Sequence, residues 1–237
     1  MVKKLSLGID LGTSNCSITL TLENKTEVLD IIQVAGVNRI DKKPIFASSL
    51  YIPYKNQFPK DSITLPWSQK EETFIAGNFA REIGARTSDR LITSAKSWLC
   101  NQSIDPSKPI LPWKSESIEN KLSPLEVTCC YLKHLKAAFE SVCIERAISS
   151  DINETQVVLT VPASFDEAAR NFTAKAAVEA GWGDEVVLLE EPQAAFYSWL
   201  GSHSSQWRKQ VKAGEIILIC DIGGGTTDFS LIAVVDN

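Results

Sequence analysis

The sequence predicts an α/β fold in which both ends of the chain carry a strand, a glycine turn and a second strand. Near the start, an apolar run over residues 5–9 leads into Asp10, an aliphatic residue and Gly12. Near the end, the run 216–219, too short for a helix, precedes Asp221 and three glycines. Between these ends, strand-like runs alternate with helical patterns, an order typical of a sheet with parallel strands.

Composition limits the class of protein and of partner. A chain of 237 residues, 44% hydrophobic and 22% charged, is long enough for one large or two small domains. Its net charge of −5 argues against nucleic acid or an anionic membrane surface as the main partner. No apolar run reaches the roughly 18 residues needed to span a bilayer. The six cysteines include no Cys-x-x-Cys pair, which predicts free thiols in a reducing cytoplasm.

The chemistry of the two turns indicates a phosphate ligand and a divalent metal. The consecutive glycines 223–225 allow backbone N–H groups to come close to a phosphate chain. A carboxylate repels phosphate unless a cation lies between them, so Asp221 implies Mg²⁺ held partly through water. Asp10 and Gly12 repeat the pattern. A glycine hairpin with a capping aspartate would explain either turn alone, whereas the pair favours two phosphate loops from the halves of a duplicated fold.

The first half of the chain is predicted to consist mainly of strands. Residues 5–35 alternate short apolar runs with polar turns, as in a β-meander, and 44–52 presents two mixed faces at a two-residue period. Helical patterns flank a connector rich in arginine and serine. The predicted elements are strands at 17–22, 28–34 and 44–52, a helix at Asn78–Gly84 and a helical turn at 94–99.

The second half is predicted to alternate helices and strands. Ser123, Pro124 and Glu126 mark a helix start with an N-cap hydroxyl, a proline at the first helical position and a capping box. Apolar residues then recur every three or four positions and give this helix one apolar face. They are Leu125, Cys129, Leu132, Leu135, Phe139 and Val142. Further strands are predicted at 156–161 and 186–189, and further helices at 165–181 and 190–200.

Five segments together resemble the ATPase domain of the DnaK-type (seventy-kilodalton heat-shock) chaperones, a domain shared with actin and the sugar kinases. Residues 8–15 and 221–230 are similar to the family's phosphate signatures. Residues 161–170 and 189–195 are similar to its connecting segment, and 94–96 to its lysine motif. Trp98 and Cys100 depart from the usual residues and indicate a divergent, bacterial-type branch. The resemblance implies an actin-like ATPase (ribonuclease-H-like) fold, with the first lobe complete and the opening hairpin of the second.

The resemblance also implies a division into lobes. Residues 1–200 would form the first lobe, with a small outer subdomain inserted at about 36–122, and 201–237 would start the second lobe. We expect the family's adenosine motif and peptide-binding domain to lie outside these residues, so that phosphate contacts alone bind nucleotide weakly. An apolar hairpin at 216–220 and 229–235 would lack a sheet to join. We expect it to fold back on the first lobe or to pair with a second copy as a dimer.

Matching positions in the family imply roles for residues of the turns and beyond. Asp10 and Asp221 would arrange hydrated Mg²⁺ on ATP. Lys96 would lie against the transferred phosphoryl group, although alone it would be taken for a solvated surface lysine. Glu191 would orient water or act as a base; the alternative is a structural carboxylate favoured by a helix N-terminus. Thr226 would bind the attacking water.

Other matching positions would hold the nucleotide or transmit its state. Pro162 and Arg170 match positions that relay the nucleotide state to a partner domain. Backbone N–H groups of both turns would hold the phosphates of ATP or ADP. The implied nucleotide-binding residues are Gly12, Thr13, Ser14, Asn15, Gly223, Gly224, Gly225, Thr226 and Thr227.

The implied function is that of a cytoplasmic, stress-related chaperone that hydrolyses Mg-ATP to drive a peptide-binding domain. Its implied partners are unfolded client peptides and co-chaperones. Two alternatives share the fold. A filament-forming, actin-like ATPase can carry similar turns, and a small-molecule kinase needs a substrate base near the cleft, for which no candidate stands out. The segments 94–96 and 165–170 favour the chaperone.

Overall fold

A mixed sheet of six strands forms the centre of the protein. The computed structural model describes residues 5–68 and 73–236, which fold into thirteen strands and five α-helices. The strands are β1 (Leu5–Leu11), β2 (Asn15–Leu22), β3 (Lys25–Val28), β4 (Ile31–Gly36), β5 (Arg39–Lys43), β6 (Phe46–Ala47), β7 (Ser49–Tyr51), β8 (Ile75–Ala76), β9 (Leu91–Thr93), β10 (Thr155–Val161), β11 (Val187–Glu190), β12 (Ile216–Ile222) and β13 (Thr227–Ala233). The helices are α1 (Asn78–Gly84), α2 (Ala95–Leu99), α3 (Pro124–Arg146), α4 (Glu167–Glu179) and α5 (Glu191–His203).

The central sheet brings three strand ends together at one edge. Its order is β11–β10–β1–β2–β3, and the short β6 also pairs with β2. β10 runs parallel to β1, with Leu159 opposite Ile9, and parallel to β11, with Val161 opposite Glu190. β2 and β3 are antiparallel to their neighbours. The carboxyl ends of β1, β10 and β11 therefore lie side by side, where sheets with parallel strands commonly bind ligands.

Helix α3 begins at the predicted capping box. The Ser123 hydroxyl accepts a hydrogen bond from the backbone N–H of Glu126 (3.1 Å), and the Glu126 carboxylate accepts one from the backbone N–H of Ser123 (2.7 Å). All six predicted apolar residues of α3 are buried in the same core as the side chains of β1 and β2. Among the residues that the structure describes, no helix combines the length and apolar character needed to cross a membrane.

A second, smaller layer lies outside the central sheet. β7 pairs with both β8 and β9, while β4 pairs with β5. Helix α1 packs on β4 and β7. Beneath it, Val34, Tyr51, Ile63, Ile75 and Ala80 form a hydrophobic cluster separate from the main core. This layer connects to the central sheet through β6, which follows β5 and pairs with β2.

Two strand predictions in the first half are wrong in extent. The strand predicted at 28–34 is two strands, because the chain leaves the central sheet after β3 and pairs β4 with β5. The strand predicted at 44–52 is split at Ser48 into β6 and β7, which belong to different sheets. Apolar spacing continues through both breaks, so periodicity alone does not reveal a change of sheet. β5 was not predicted, and all five of its residues are polar or exposed.

The remaining predicted elements are confirmed. Helix α1 has the predicted bounds, and α2, α3, α4, β10 and β11 begin and end within a few residues of the prediction. Helix α5 continues to His203, beyond the predicted end at residue 200. The alternation of β10, α4, β11 and α5 produces the parallel pairing expected from that order.

The C-terminal hairpin folds back on the rest of the chain, one of the two expected outcomes. β12 and β13 form a separate two-stranded sheet with Asp221 opposite Asp228, and β12 packs on α5. One face of this hairpin remains open to solvent. The apolar side chains that are more than half exposed there are Ile216, Leu218, Ile222, Phe229 and Leu231.

Candidate functional site

The two glycine turns face each other across a cleft of about 530 Å³. The cleft lies at the carboxyl ends of β1 and β10, and α5 lines it with Glu191, Ala194, Ala195 and Ser198. The fold thus joins the two ends of the chain in one site. The predicted site residues that line the cleft are Asp10, Gly12, Thr13, Ser14, Asn15, Glu191, Asp221, Gly223, Gly224, Gly225 and Thr226.

Glycine is required where the turns approach each other. A Cβ atom on Gly224 would lie 2.8 Å from Oγ and 3.1 Å from Cβ of Ser14, and one on Gly225 would lie 3.2 Å from Cγ2 of Thr13. Non-bonded carbon atoms pack at about 3.5–4.0 Å, so a side chain at Gly224 would push the turns apart. The glycines therefore permit the cleft to close, in addition to allowing backbone N–H groups to reach a ligand.

Ser48 supports the first turn from the break between β6 and β7. Its hydroxyl donates to the carbonyl oxygen of Gly12 (2.7 Å), and its backbone N–H donates to the carbonyl oxygen of Ser14 (3.0 Å). A Cβ atom on Gly12 would overlap the carbonyl oxygen of Asn15, so the turn requires glycine there. Cys16 packs behind Ser48, and burial raises the pKa of its thiol to about 12, which keeps it protonated and unreactive.

Asp10 is oriented by a residue that the sequence reasoning missed. The Thr160 hydroxyl donates to Oδ1 of Asp10 at 3.0 Å, and both residues line the cleft. Thr160 lies next to last in β10, one strand away from Asp10 in β1. The sequence places Thr160 near the end of a predicted buried strand, but only the pairing of β10 with β1 brings its hydroxyl to Asp10.

Lys96 and Glu191 form an ion pair beside the cleft. The Lys96 ammonium donates to the Glu191 carboxylate, and the lysine side chain is 5% exposed against 18% for the glutamate. Lys96 is therefore not the solvated surface lysine that the residue alone would suggest. Lys96, on α2, is not itself part of the cleft lining; its ammonium contacts Glu191 and lies 5.8 Å from the centre of the Phe165 ring.

The charge of Glu191 is disfavoured by its surroundings. Burial raises the pKa of its carboxyl, the Lys96 ammonium opposes that rise, and the carboxylates of Asp10 and Asp221 add to it. Glu191 therefore lies within electrostatic range of both aspartates. A carboxylate with a raised pKa at the wall of a cleft is suited to accept a proton, although its position as the first residue of α5 also fits a carboxylate favoured by the helix dipole.

The second turn brings Thr226, but not Thr227, to the cleft. The backbone N–H of Gly223 donates to the carbonyl oxygen of Thr226 (2.9 Å), which closes the turn. Thr227 opposes Ile222 in the hairpin ladder. Side chains alternate between the faces of a strand, so Thr227 lies on the face opposite to Asp221, and it is not part of the cleft lining.

Pro162 and Arg170 lie outside the cleft lining. Pro162 follows β10, and its carbonyl oxygen accepts from the backbone N–H of Phe165 (3.1 Å). Arg170, on α4, donates through Nη2 to the carboxylate of Glu190 at 2.6 Å. Pro162 therefore lies in the loop between β10 and α4, whereas Arg170 contacts the last residue of β11, just before α5.

The acidic residues of the cleft suit Mg²⁺ bound together with phosphate. In the described part of the chain, no three His, Cys, Asp or Glu side chains cluster as a metal site. Mg²⁺ commonly keeps several waters and binds one or two carboxylates plus phosphate oxygens. Asp10 and Asp221, both exposed and both lining the cleft with the glycine turns, match that donor set.

Comparison with known proteins decides the family. The family model for Hsp70 proteins matches residues 6–236. The chain belongs to the Hsp70 family. Among curated Hsp70 relatives, the chaperone protein HscA homolog of Pasteurella multocida is 29% identical over 97% of the chain. The HscA homolog of Mannheimia succiniciproducens and the chaperone protein HscA of Buchnera aphidicola are each 30% identical over 97% of it.

Family membership confirms the fold class. The nucleotide-binding domain of Hsp70 proteins is an actin-like ATPase fold, and the mixed sheet with helices described above agrees with it. Hsp70 proteins are ATPases that bind ATP and ADP, so neither the filament nor the kinase alternative is favoured. The chain spans about a third of the length of these relatives, 32% of the first and 33% of the other two.

Proposed function

We propose that this Hsp70 chain binds and hydrolyses Mg-ATP in the cleft between its glycine turns, as the ATPase part of a chaperone. The observation that carries the proposal is the approach of Gly224 to Ser14, which makes one cleft out of two phosphate-binding turns. Two aspartates line this cleft and a buried Lys–Glu pair lies beside it. Phosphoryl transfer depends mainly on positioning and charge stabilisation, which these groups supply.

In this proposal, the turns hold the phosphates and the aspartates hold the metal. Backbone N–H groups of residues 12–15 and 223–225 bind phosphate oxygens, with the hydroxyls of the turns as further donors. Asp10 and Asp221 hold Mg²⁺ through water, and the bound metal neutralises charge on the phosphates. The Thr160 hydroxyl fixes the rotamer of Asp10. Thr227 contributes through its backbone, because its side chain lies on the opposite face of the hairpin.

Three side chains act on the transferred phosphoryl group and on the attacking water. They are Lys96, Glu191 and Thr226. Lys96 supplies positive charge where negative charge develops in the transition state. Glu191 orients the attacking water or accepts its proton, a role that its raised pKa favours. Thr226 donates a hydrogen bond to the same water from the second turn. Because Lys96 is already paired with Glu191, the two side chains are pre-arranged before ATP binds.

The proposal extends to organisation and partners. Residues 1–200 form the first lobe with an outer subdomain at about 36–122, and 201–237 open the second lobe. Pro162 and Arg170 relay the nucleotide state to a peptide-binding domain. The partners are unfolded peptides and co-chaperones in the cytoplasm, in line with the relatives named as chaperones.

The test is a calorimetric titration with Mg-ATP and Mg-ADP, combined with phosphate-release assays, on the full-length protein. The variants are Asp221→Asn and, as a control outside the cleft, the exposed Asp30→Asn. With Mg²⁺, we expect Asp221→Asn to weaken ATP binding at least about 10-fold and Asp30→Asn to leave it unchanged. With EDTA, the effect of Asp221→Asn should vanish or reverse, because removing a carboxylate then relieves repulsion of the phosphates.

Two outcomes would contradict the proposal. One is a wild-type protein that gives neither binding heat nor phosphate release with Mg-ATP. The other is ATP-dependent light scattering from long polymers, which would favour the filament-forming alternative.

A further inference from the structure

Glu190 and Glu191 are consecutive residues that pair with cations on different helices. Glu191 accepts from Lys96 of α2, whereas Glu190 accepts from Arg170 of α4 at 2.6 Å. Glu190 is the last residue of β11 and Glu191 the first of α5. The junction between the strand and the helix is therefore held by ion pairs from two directions.

Arg170 is itself fixed in place. Its Nε donates to the carbonyl oxygen of Phe165 (3.2 Å), and its backbone N–H donates to the carbonyl oxygen of Asp166 (3.0 Å). The ring of Phe165 is buried and lies 5.8 Å from the Lys96 ammonium. One residue thus contacts both cations, so the two ion pairs share a common support.

Helix α5 offers little support of its own for Glu191. Pro192, next to Glu191, is the one buried residue among its thirteen, so beyond this single side chain the helix is not anchored by a buried face. The backbone of Glu190, by contrast, is paired with that of Val161 in the central sheet. The sheet pairing and the Arg170 contact together fix the peptide that leads into Glu191.

We propose that Glu190 is a positioning residue for Glu191. By holding the β11–α5 junction through Arg170, it directs the Glu191 carboxylate toward Lys96 and the cleft. Glu190 does not line the cleft. Its ion pair is about 30% exposed on each side, at 29% for Arg170 and 32% for Glu190. Pairs this exposed contribute little to global stability, so the expected effect is on local geometry.

The kinetic test, which rests on the proposed function, is single-turnover ATP hydrolysis by the full-length protein. Glu190→Gln keeps the shape of the side chain and removes its charge. We expect the hydrolysis rate constant to fall about 5-fold while the Kd of Mg-ATP changes less than about 2-fold, because a small misplacement of a catalytic group affects the chemical step. Glu179→Gln is the matched control, since it removes the exposed partner of Lys175 on α4, far from the junction.

A second test needs no nucleotide. A double-mutant cycle with Lys96→Met and Glu191→Gln, measured by urea unfolding, gives the coupling between these side chains. We expect the coupling to shrink by more than half in the Glu190→Gln background and to persist in the Glu179→Gln background. A charge swap that combines Glu190→Arg with Arg170→Glu restores the ion pair in reverse. We expect it to recover at least half of the hydrolysis rate that Glu190→Gln loses.

Unchanged hydrolysis or unchanged coupling in Glu190→Gln would overturn the positioning role. A wild type that hydrolyses no ATP would instead contradict the proposed function, and the coupling measurement would still decide the positioning role. The two failures are therefore distinguishable.

Discussion

The Lys96 ammonium donates to the Glu191 carboxylate across 95 positions of sequence, at the point where α2 meets the start of α5. Both side chains are largely buried, and Glu191 also experiences the charges of Asp10 and Asp221. Removing one member of a buried pair leaves the other charge uncompensated. Breaking this pair is therefore expected to destabilise the protein and, in the proposed function, to impair catalysis.

Lys96→Met is expected to lower both the hydrolysis rate and the stability. The rate constant should fall at least about 100-fold, since a charge aimed at the transition state is lost. The free energy of unfolding should fall by about 3 kcal/mol, because Glu191 is left facing two other carboxylates. Single-turnover assays and urea unfolding measure the two effects.

Lys136→Met is the control: it breaks the Lys136–Glu140 pair on α3 and should lower the free energy of unfolding by about 0.5 kcal/mol or less. Equal losses in both variants would contradict this assignment.

Thr160→Val should weaken the metal-dependent step. The substitution keeps the shape of the side chain in β10 but removes the donor to Asp10. We expect the Mg²⁺ concentration for half-maximal hydrolysis to rise about 3–10-fold, consistent with the loss of one hydrogen bond to a charged group. Thr160→Ser retains the hydroxyl and should behave as wild type. If Thr160→Ser is as impaired as Thr160→Val, packing rather than the hydrogen bond explains the effect.

Gly224→Ala should separate the two turns. The added Cβ would lie 2.8 Å from Oγ and 3.1 Å from Cβ of Ser14; the hydroxyl can rotate away, but the contact with Cβ requires the turns to separate by a few tenths of an ångström. We expect Mg-ATP affinity to drop about 10-fold or more, because both turns must bind the same phosphates. Gly201→Ala is the control, since beyond its chain neighbours and its own helix backbone no heavy atom lies within 4 Å of its Cβ position. Titration calorimetry compares them, and equal affinity in both variants would show that closure of the turns is unimportant.

The exposed face of the C-terminal hairpin should cause residues 1–237 to self-associate. Leu218 and Leu231 face each other across the ladder and are 56% and 69% exposed. A two-stranded hairpin is marginal in water unless its apolar face is covered, and a contiguous exposed apolar face is a site of association. Sedimentation velocity should detect a dimer that Leu218→Lys disrupts and that Ile144→Lys, at an exposed apolar residue of α3, preserves. A monomeric wild type with a protease-sensitive hairpin would exclude the dimer.

Local signals explain why much of the fold was predictable. The capping box at Ser123 and Glu126 and the apolar spacing of α3 depend on residues three or four positions apart. The two turns were visible because an apolar strand followed by aspartate, an aliphatic residue and glycine is a local pattern that occurs twice. The cleft lining then follows, since parallel strands bring their carboxyl ends to one edge.

Features that depend on pairing between distant segments were not predictable. Thr160 reaches Asp10 only because β10 pairs with β1 in a particular register. Ser48 supports the first turn because the chain changes sheets at that residue. The contact of Glu190 with Arg170 likewise depends on how α4 packs beside β11. None of these relationships leaves a periodic trace in a single sequence.

His134 should make the stability of the protein depend on pH. It is buried on α3, where one ring nitrogen contacts the carbonyl oxygen of Ile32 (2.8 Å), and burial lowers its pKa from 6.5 to about 4. The unfolded chain therefore binds a proton between these values that the folded protein excludes, so stability falls as pH falls from about 6.5 toward 4. Between pH 7 and pH 5 the loss from this residue is about 2 kcal/mol. Urea unfolding at pH 7 and pH 5 should show this loss of stability in wild type and in the control His203→Gln. In His134→Gln the free energy of unfolding should fall correspondingly less between the two pH values. An equal pH dependence in all three proteins would contradict the assignment of the effect to His134.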